Sequence, residues 1–200
     1  MADFIYLASQ SPRRRQLLEQ LGVRYELLLP DSAEDTESLE AVYEDETPFK
    51  YVQRVTALKL DAALMRRIRR NLPSAPILCA DTTVALKQTI FGKPDDAAHA
   101  ERMLSTLAGQ PHQVLTAVAV QNGPQRFEDV STSQVYLQAM TASQIKAYVA
   151  SGESAGKAGA YAIQGRIAMY ISRIEGSHSG IMGLPLWETA SLMQAAGLEI

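Results

Sequence analysis

The 200-residue chain has one cysteine, three histidines and 6% aromatic residues, and each shortage removes a class of protein. A single thiol, Cys79, excludes an internal disulfide, and His99, His112 and His178 lie scattered with no second thiol, so zinc-site spacing is missing. No apolar run approaches the roughly 18 residues of a membrane span, and Met1 to Ser9 lacks a basic stretch followed by a long apolar one. The sequence therefore reads as soluble and unexported, with no membrane partner and the cytoplasm as its expected location. Repeats and low-complexity tracts are also missing. With 46% hydrophobic and 20% charged residues, disorder, collagen and coiled coil are excluded.

Basic residues are missing from one segment. Residues 31–46 hold eight acids (Asp31, Glu34, Asp35, Glu37, Glu40, Glu44, Asp45, Glu46) and no Lys or Arg. Removing these eight from the 22 acids leaves 14, against 19 basic groups in the rest of the chain. A modestly basic body suits a small anionic ligand. A sequence pI of 5.7 without interleaved aromatic and basic residues argues against nucleic acid as a partner.

Phe4 to Ala8 reads as a strand, Ser9 to Pro12 as a turn and Arg13 to Leu21 as a helix closed by Gly22. Tyr25 to Leu29 is a second strand, followed by an acidic loop running to Glu46. Thr47-Pro48 opens a helix to Arg70, with Tyr51, Val55, Leu58, Ala62 and Met65 on one face. Ile77 to Leu86 reads as a strand covered on both faces, and Asp95 caps a helix to Leu107. Val114 to Gln121 and Arg126 to Gln138 form a hairpin around Asn122-Gly123. Thr141 to Gln144 is a capping box for a helix ending at Gly152. A Gly-rich stretch over 152–165 leads to a strand from Ile167 to Ile174, and Pro185 to Ala196 is the last helix, with Trp187 expected in the core. The pattern describes a mixed-sheet α/β protein over 1–200, in two lobes without a boundary visible in sequence.

Two anomalies point to chemistry. Arg13, Arg14 and Arg15 begin a helix where the backbone dipole disfavours cations, so something anionic should compensate them. Hydroxyls from Ser9 and Ser11 precede them, and amides at a helix N-terminus suit phosphate. A solvated basic helix start is the alternative. Asp81 stands in the middle of an apolar strand, where a buried carboxylate needs a partner, a metal or a raised pKa.

Leu7-Ala-Ser-Gln-Ser-Pro-Arg-Arg14 closely resembles the opening motif of the Maf (septum-formation-inhibitor-like) family of nucleotide pyrophosphatases. Ala80-Asp-Thr82, Gly92-Lys-Pro94, Lys157-Ala-Gly-Ala-Tyr161, Ile163-Gln-Gly165 and Gly183-Leu-Pro-Leu186 follow in that family's order, so the resemblance spans essentially the whole chain. It departs at Ala162, where glycine is frequent, and at Gly180.

The resemblance implies an ITPase-like α/β fold with an elongated mixed sheet, two lobes around a cleft, and a homodimer. It also implies hydrolysis of a nucleoside triphosphate to the monophosphate and pyrophosphate with a divalent cation, Mg²⁺ or Mn²⁺. Asp81 matches the proton acceptor; Arg13, Thr82 and Gln164 match residues tied to base selection. The Ile-Gln-Gly form looks like the branch acting on dTTP and UTP, modified pyrimidine nucleotides included. A pyrophosphatase for 7-methyl-GTP, or a nucleotide-binding regulator of septum formation with little turnover, are the alternatives. Lys59, Lys93 and Lys157, with Ser9, Arg13 and Arg14, would meet the phosphates. Asp81 and a carboxylate of the acidic loop, Glu34 or Asp35, would meet the metal. Gln164 carries the donor and acceptor needed to read O4 and N3–H of uracil or thymine.

Overall fold

The computed structural model of the chain describes residues 4–32, 34, 35 and 38–200. Seven strands form one mixed sheet in the order β2-β1-β3-β5-β6-β7, with β4 on the same edge of β3 as β1. β1 (Ile5–Leu7) lies parallel to both β2 (Tyr25–Leu27) and β3 (Ile77–Leu86). β3, β5 (Pro111–Asn122), β6 (Gln125–Leu137) and β7 (Ile171–Glu175) run antiparallel to their neighbours, as β4 (Thr89–Phe91) does to β3. The β5–β6 turn is Gly123-Pro124, with Gly123 at φ +55°, a conformation that glycine adopts without steric cost.

One face of the sheet is covered by α2 (Pro48–Arg69), whose Tyr51, Val52, Val55, Leu60 and Ala63 are buried. These contact Tyr6, Ile77, Cys79 and Ala119 at one end and Ala85, Leu115 and Ala117 at the other. The buried stripe is rotated from the expected one, and Met65 is exposed. The opposite face is covered in two parts. α1 (Pro12–Gln20) and α6 (Leu186–Ala195) bury Leu17, Leu18 and Met193 against Leu7, Leu78 and Val118. α3 (Ala97–Leu107) and α4 (Ala142–Ala150) bury Leu104, Leu107, Ile145 and Tyr148 with Val84, Val114 and Val135. The core is divided, and a cleft runs where the two parts separate.

Three expectations change. Asp96, not Asp95, caps α3. Trp187 is 76% exposed at the start of α6 rather than in the core. The strand expected from Ile167 is a 3₁₀ segment over Arg166–Tyr170 followed by β7. The cause is the partner: β6 ends at Leu137, opposite Ile171, and the pairing stops one bond further on, where the Gln138 amide donates to the Tyr170 carbonyl at 2.8 Å. A short helix, α5 (His178–Met182), follows β7, capped by the Ser177 side chain.

Candidate functional site

The pairing of β3 creates the site. On one edge β1 reaches only to Leu78, and β4 begins only at Val84. Between them, no strand among the described residues covers the 79–83 segment on that side, so backbone and side chains from both faces open into one space beyond the carboxyl end of β1. A cleft of about 390 Å³ fills it, within the range for small-molecule sites. The cleft is lined by Ser9, Arg13, Arg14, Lys59, Asp81, Thr82, Lys93, Lys157 and Gln164, the residues given site roles from sequence apart from the acidic-loop carboxylate, together with Glu40.

The exception is Glu34. Its carboxylate accepts bonds from Arg66 at 2.6 and 3.0 Å and from Arg69 at 2.6 Å, which holds it down at about pKa 2. Glu34 is absent from the cleft lining, and Asp35 accepts from the Ser38 amide. Glu40, from a 3₁₀ turn at Ser38–Glu40, is the acidic-loop carboxylate that lines the cleft. Lys59 Nζ donates to Asp81 at 2.5 Å and to Glu40 at 2.7 Å, and Lys93 Nζ lies 3.0 Å from Glu40. Asp81 thus gains the partner that a buried carboxylate requires. Burial opposes the Lys59 charge, but the two carboxylates outweigh it and raise its pKa. Burial likewise opposes the Glu40 charge; Lys59 and Lys93 overcome it, and the Glu40 carboxyl stays below its ordinary value.

On the other side of the gap stand the arginines. Ser11 caps α1 and Pro12 fills its first turn. Arg13 Nε donates to the Met182 carbonyl at 3.1 Å and Arg14 Nε to the Gly183 carbonyl at 2.7 Å. Carbonyls at the end of α5 therefore supply part of the negative counterpart that the arginine run demanded. Arg14 is further tied to Ser9 Oγ and Thr82 Oγ1. The terminal nitrogens of Arg13 have no partner among the described residues, leaving its planar fork free for an anion. Burial lowers the pKa of both guanidiniums, but not far enough to discharge an arginine.

The Gly-rich stretch places Lys157 and Gln164. Gly159 lies against Val84, where an added Cβ would come within 2.9 Å. Positive φ falls on Gly159 and Ala160 and not on Ala162, so the methyl at 162 imposes no backbone strain. Tyr161 and Tyr148 brace the segment. Tyr161 donates to His112 Nε2 at 2.8 Å, and Tyr148 accepts from the Ala162 amide at 3.1 Å. Among the described residues Lys157 Nζ bonds only its own loop, at the Ala155 carbonyl; burial, then Arg13, lowers its pKa. Gln164 is exposed in the cleft, and its amide makes no side-chain bond among the described residues.

A cleft with cations on both walls and a lysine-paired carboxylate between them defines a site for a small polyanion with a proton acceptor at hand. The chain belongs to the Maf family: the family model described as "Maf-like protein" matches residues 4–196. The dTTP/UTP pyrophosphatase of Polaromonas sp. (strain JS666) is 66% identical over 199 residues, covering 100% of this chain and 98% of that one. The proteins of the same name from Albidiferax ferrireducens and Ralstonia nicotianae are 60% and 56% identical, covering 100% and 98% of this chain and 100% and 95% of theirs. Among solved structures, the Staphylococcus aureus Ham1 protein matches 66% of this chain and 71% of its own with a TM-score of 0.41 and 12% identity.

Proposed function

We propose that the chain hydrolyses dTTP and UTP to the nucleoside monophosphate and pyrophosphate. The carrying observation is the juxtaposition of Asp81, bonded to Lys59, with the free fork of Arg13 across one cleft, in a chain whose relatives bear that activity in their names. In this reading the triphosphate lies along Arg13, Arg14, Lys93 and Lys157, which neutralise charge building on its oxygens. A water attacks the α-phosphorus, Asp81 accepts its proton, and the bond from that phosphorus to the α–β bridging oxygen breaks with pyrophosphate leaving. Lys59, donating to Asp81 at 2.5 Å, fixes the orientation of that carboxylate.

A divalent cation fits this site. Asp81 and Glu40 are two oxygen donors already converging on one positive charge, and Mg²⁺ is commonly held by one or two carboxylates plus substrate phosphates. Among the described residues, no group of three or more His, Cys, Asp or Glu forms an all-protein cage. When bound, Mg²⁺ or Mn²⁺ would supply charge neutralisation at the phosphates. Glu40, rather than Glu34, is proposed as the acidic-loop ligand. Gln164 is proposed to read the pyrimidine edge. No helix among the described residues is long and apolar enough to cross a membrane; a cytoplasmic homodimer completes the proposal.

Chromatography of dTTP incubated with enzyme and Mg²⁺ tests the reaction. dTMP and pyrophosphate are expected; dTDP and inorganic phosphate would overturn it.

A further inference from the structure

Thr116 of β5 lies behind the cleft wall, is 1% exposed, and has no place in the mechanism above. Its hydroxyl oxygen stands 2.8 Å from the Gly180 carbonyl and 2.9 Å from Thr82 Oγ1, and Thr82 Oγ1 stands 3.3 Å from an Arg14 terminal nitrogen. The direction of this chain follows from proton counting. A carbonyl has no proton to give, so two oxygens at 2.8 Å require the Thr116 O–H to point at Gly180. Thr116 then has only lone pairs for Thr82, so the single Thr82 proton points at Thr116. Arg14 can only donate, and it meets the lone pairs that Thr82 has left.

We propose that Thr116 is a positioning residue for phosphate binding, acting through Thr82 on Arg14. The Gly180 carbonyl, Thr116 and Thr82 form a one-way relay that turns Thr82 into an acceptor toward the cleft and aims the Arg14 guanidinium. α5 anchors both ends. Its Gly180 carbonyl starts the relay, while the carbonyls of Met182 and Gly183 hold the Nε atoms of Arg13 and Arg14. A Thr82 hydroxyl free to rotate would also offer its proton in the direction of Arg14, where a donor meets a cation. The relay removes that orientation. Substrate oxygens then find two aligned guanidiniums, and Thr82 donates to neither them nor the base.

This inference rests on the reading of the cleft as a triphosphate site, and its test is chosen to separate the two. The probe is inorganic triphosphate, with affinity measured by calorimetry in the intact protein. Thr116→Val, which keeps the shape and loses the hydroxyl, should weaken binding about tenfold. Thr116→Ser should restore it. Thr82→Val should weaken it to the same degree, and the double variant should bind no worse than either single one, because both break one relay. In turnover the loss should fall on KM for dTTP rather than on kcat. Equal weakening by Thr116→Val and Thr116→Ser, or additive losses in the double variant, would overturn the relay. Should Thr116→Val fail to fold, Thr82→Val against Thr82→Ser carries the same comparison. Wild type that binds triphosphate without hydrolysing dTTP would defeat the proposed reaction and leave the relay testable.

Discussion

Lys59 and Asp81 meet at 2.5 Å between α2 and β3, and the same ammonium reaches Glu40 at 2.7 Å. One positive charge thus holds two carboxylates that would otherwise repel each other, at a point the sheet leaves open. Asp81→Asn keeps the shape and removes the carboxylate proposed as proton acceptor. Turnover is expected to fall roughly 10²-fold or more with an unchanged melting profile. Steady-state assay beside circular dichroism checks it, and near-wild-type activity would remove Asp81 from the chemistry.

Glu40 is exposed to a separate test. Glu40→Gln should raise the Mn²⁺ concentration needed for half-maximal binding about tenfold or more. Water-proton relaxation, which reads bound Mn²⁺ directly, would show the shift. The same measurement on Glu34→Gln should show none, because that carboxylate belongs to Arg66 and Arg69.

The two arginines should separate. Arg13→Ala is expected to weaken nucleotide binding with little change in thermal stability, since its terminal nitrogens have no protein partner among the described residues. Arg14→Ala should weaken binding and also destabilise the fold by about 1–3 kcal/mol, since it removes bonds to Gly183, Ser9 and Thr82. Calorimetry and thermal melts on both variants distinguish them.

His112 predicts a pH dependence. Burial pushes its pKa down to about 4, against an ordinary value of 6.5. Its Nε2 must stay unprotonated to accept from Tyr161. A depressed folded-state pKa means that the unfolded chain binds the proton first, so this contribution is complete above pH 6.5 and lost as pH falls toward 4. It amounts to about 3 kcal/mol for a shift of this size. Denaturant unfolding from pH 7 to pH 4 should therefore show a steeper loss in wild type than in His112→Gln.

Much of this was legible in sequence because local chemistry and fold agreed. Thr47-Pro48 capped α2, the Thr141 to Gln144 box capped α4, and Asp81 announced itself as a charge in an apolar strand. What escaped was decided at a distance. Nothing local distinguishes Glu40 from Glu34, because the choice depends on which arginines and lysines α2 and the Gly92-Lys93-Pro94 turn present to the acidic loop. The Arg166–Tyr170 segment reads as strand by composition but lies beyond the end of β6. Thr116 looked like an ordinary β-branched strand residue, and its relay needed Gly180, 64 positions away.

Base-selective hydrolysis in this cleft is tested by kcat/KM for dTTP, UTP, CTP, ATP and GTP in wild type and Gln164→Ala. An amide that donates to O4 and accepts from N3–H meets reversed polarity on cytosine, leaving polar groups unpaired at about 1–3 kcal/mol. dTTP and UTP are expected well ahead of CTP and the purines in wild type, with a UTP/CTP ratio that flattens in the variant by more than UTP turnover falls. Equal use of all five triphosphates, or a ratio untouched by the loss of Gln164, would contradict it.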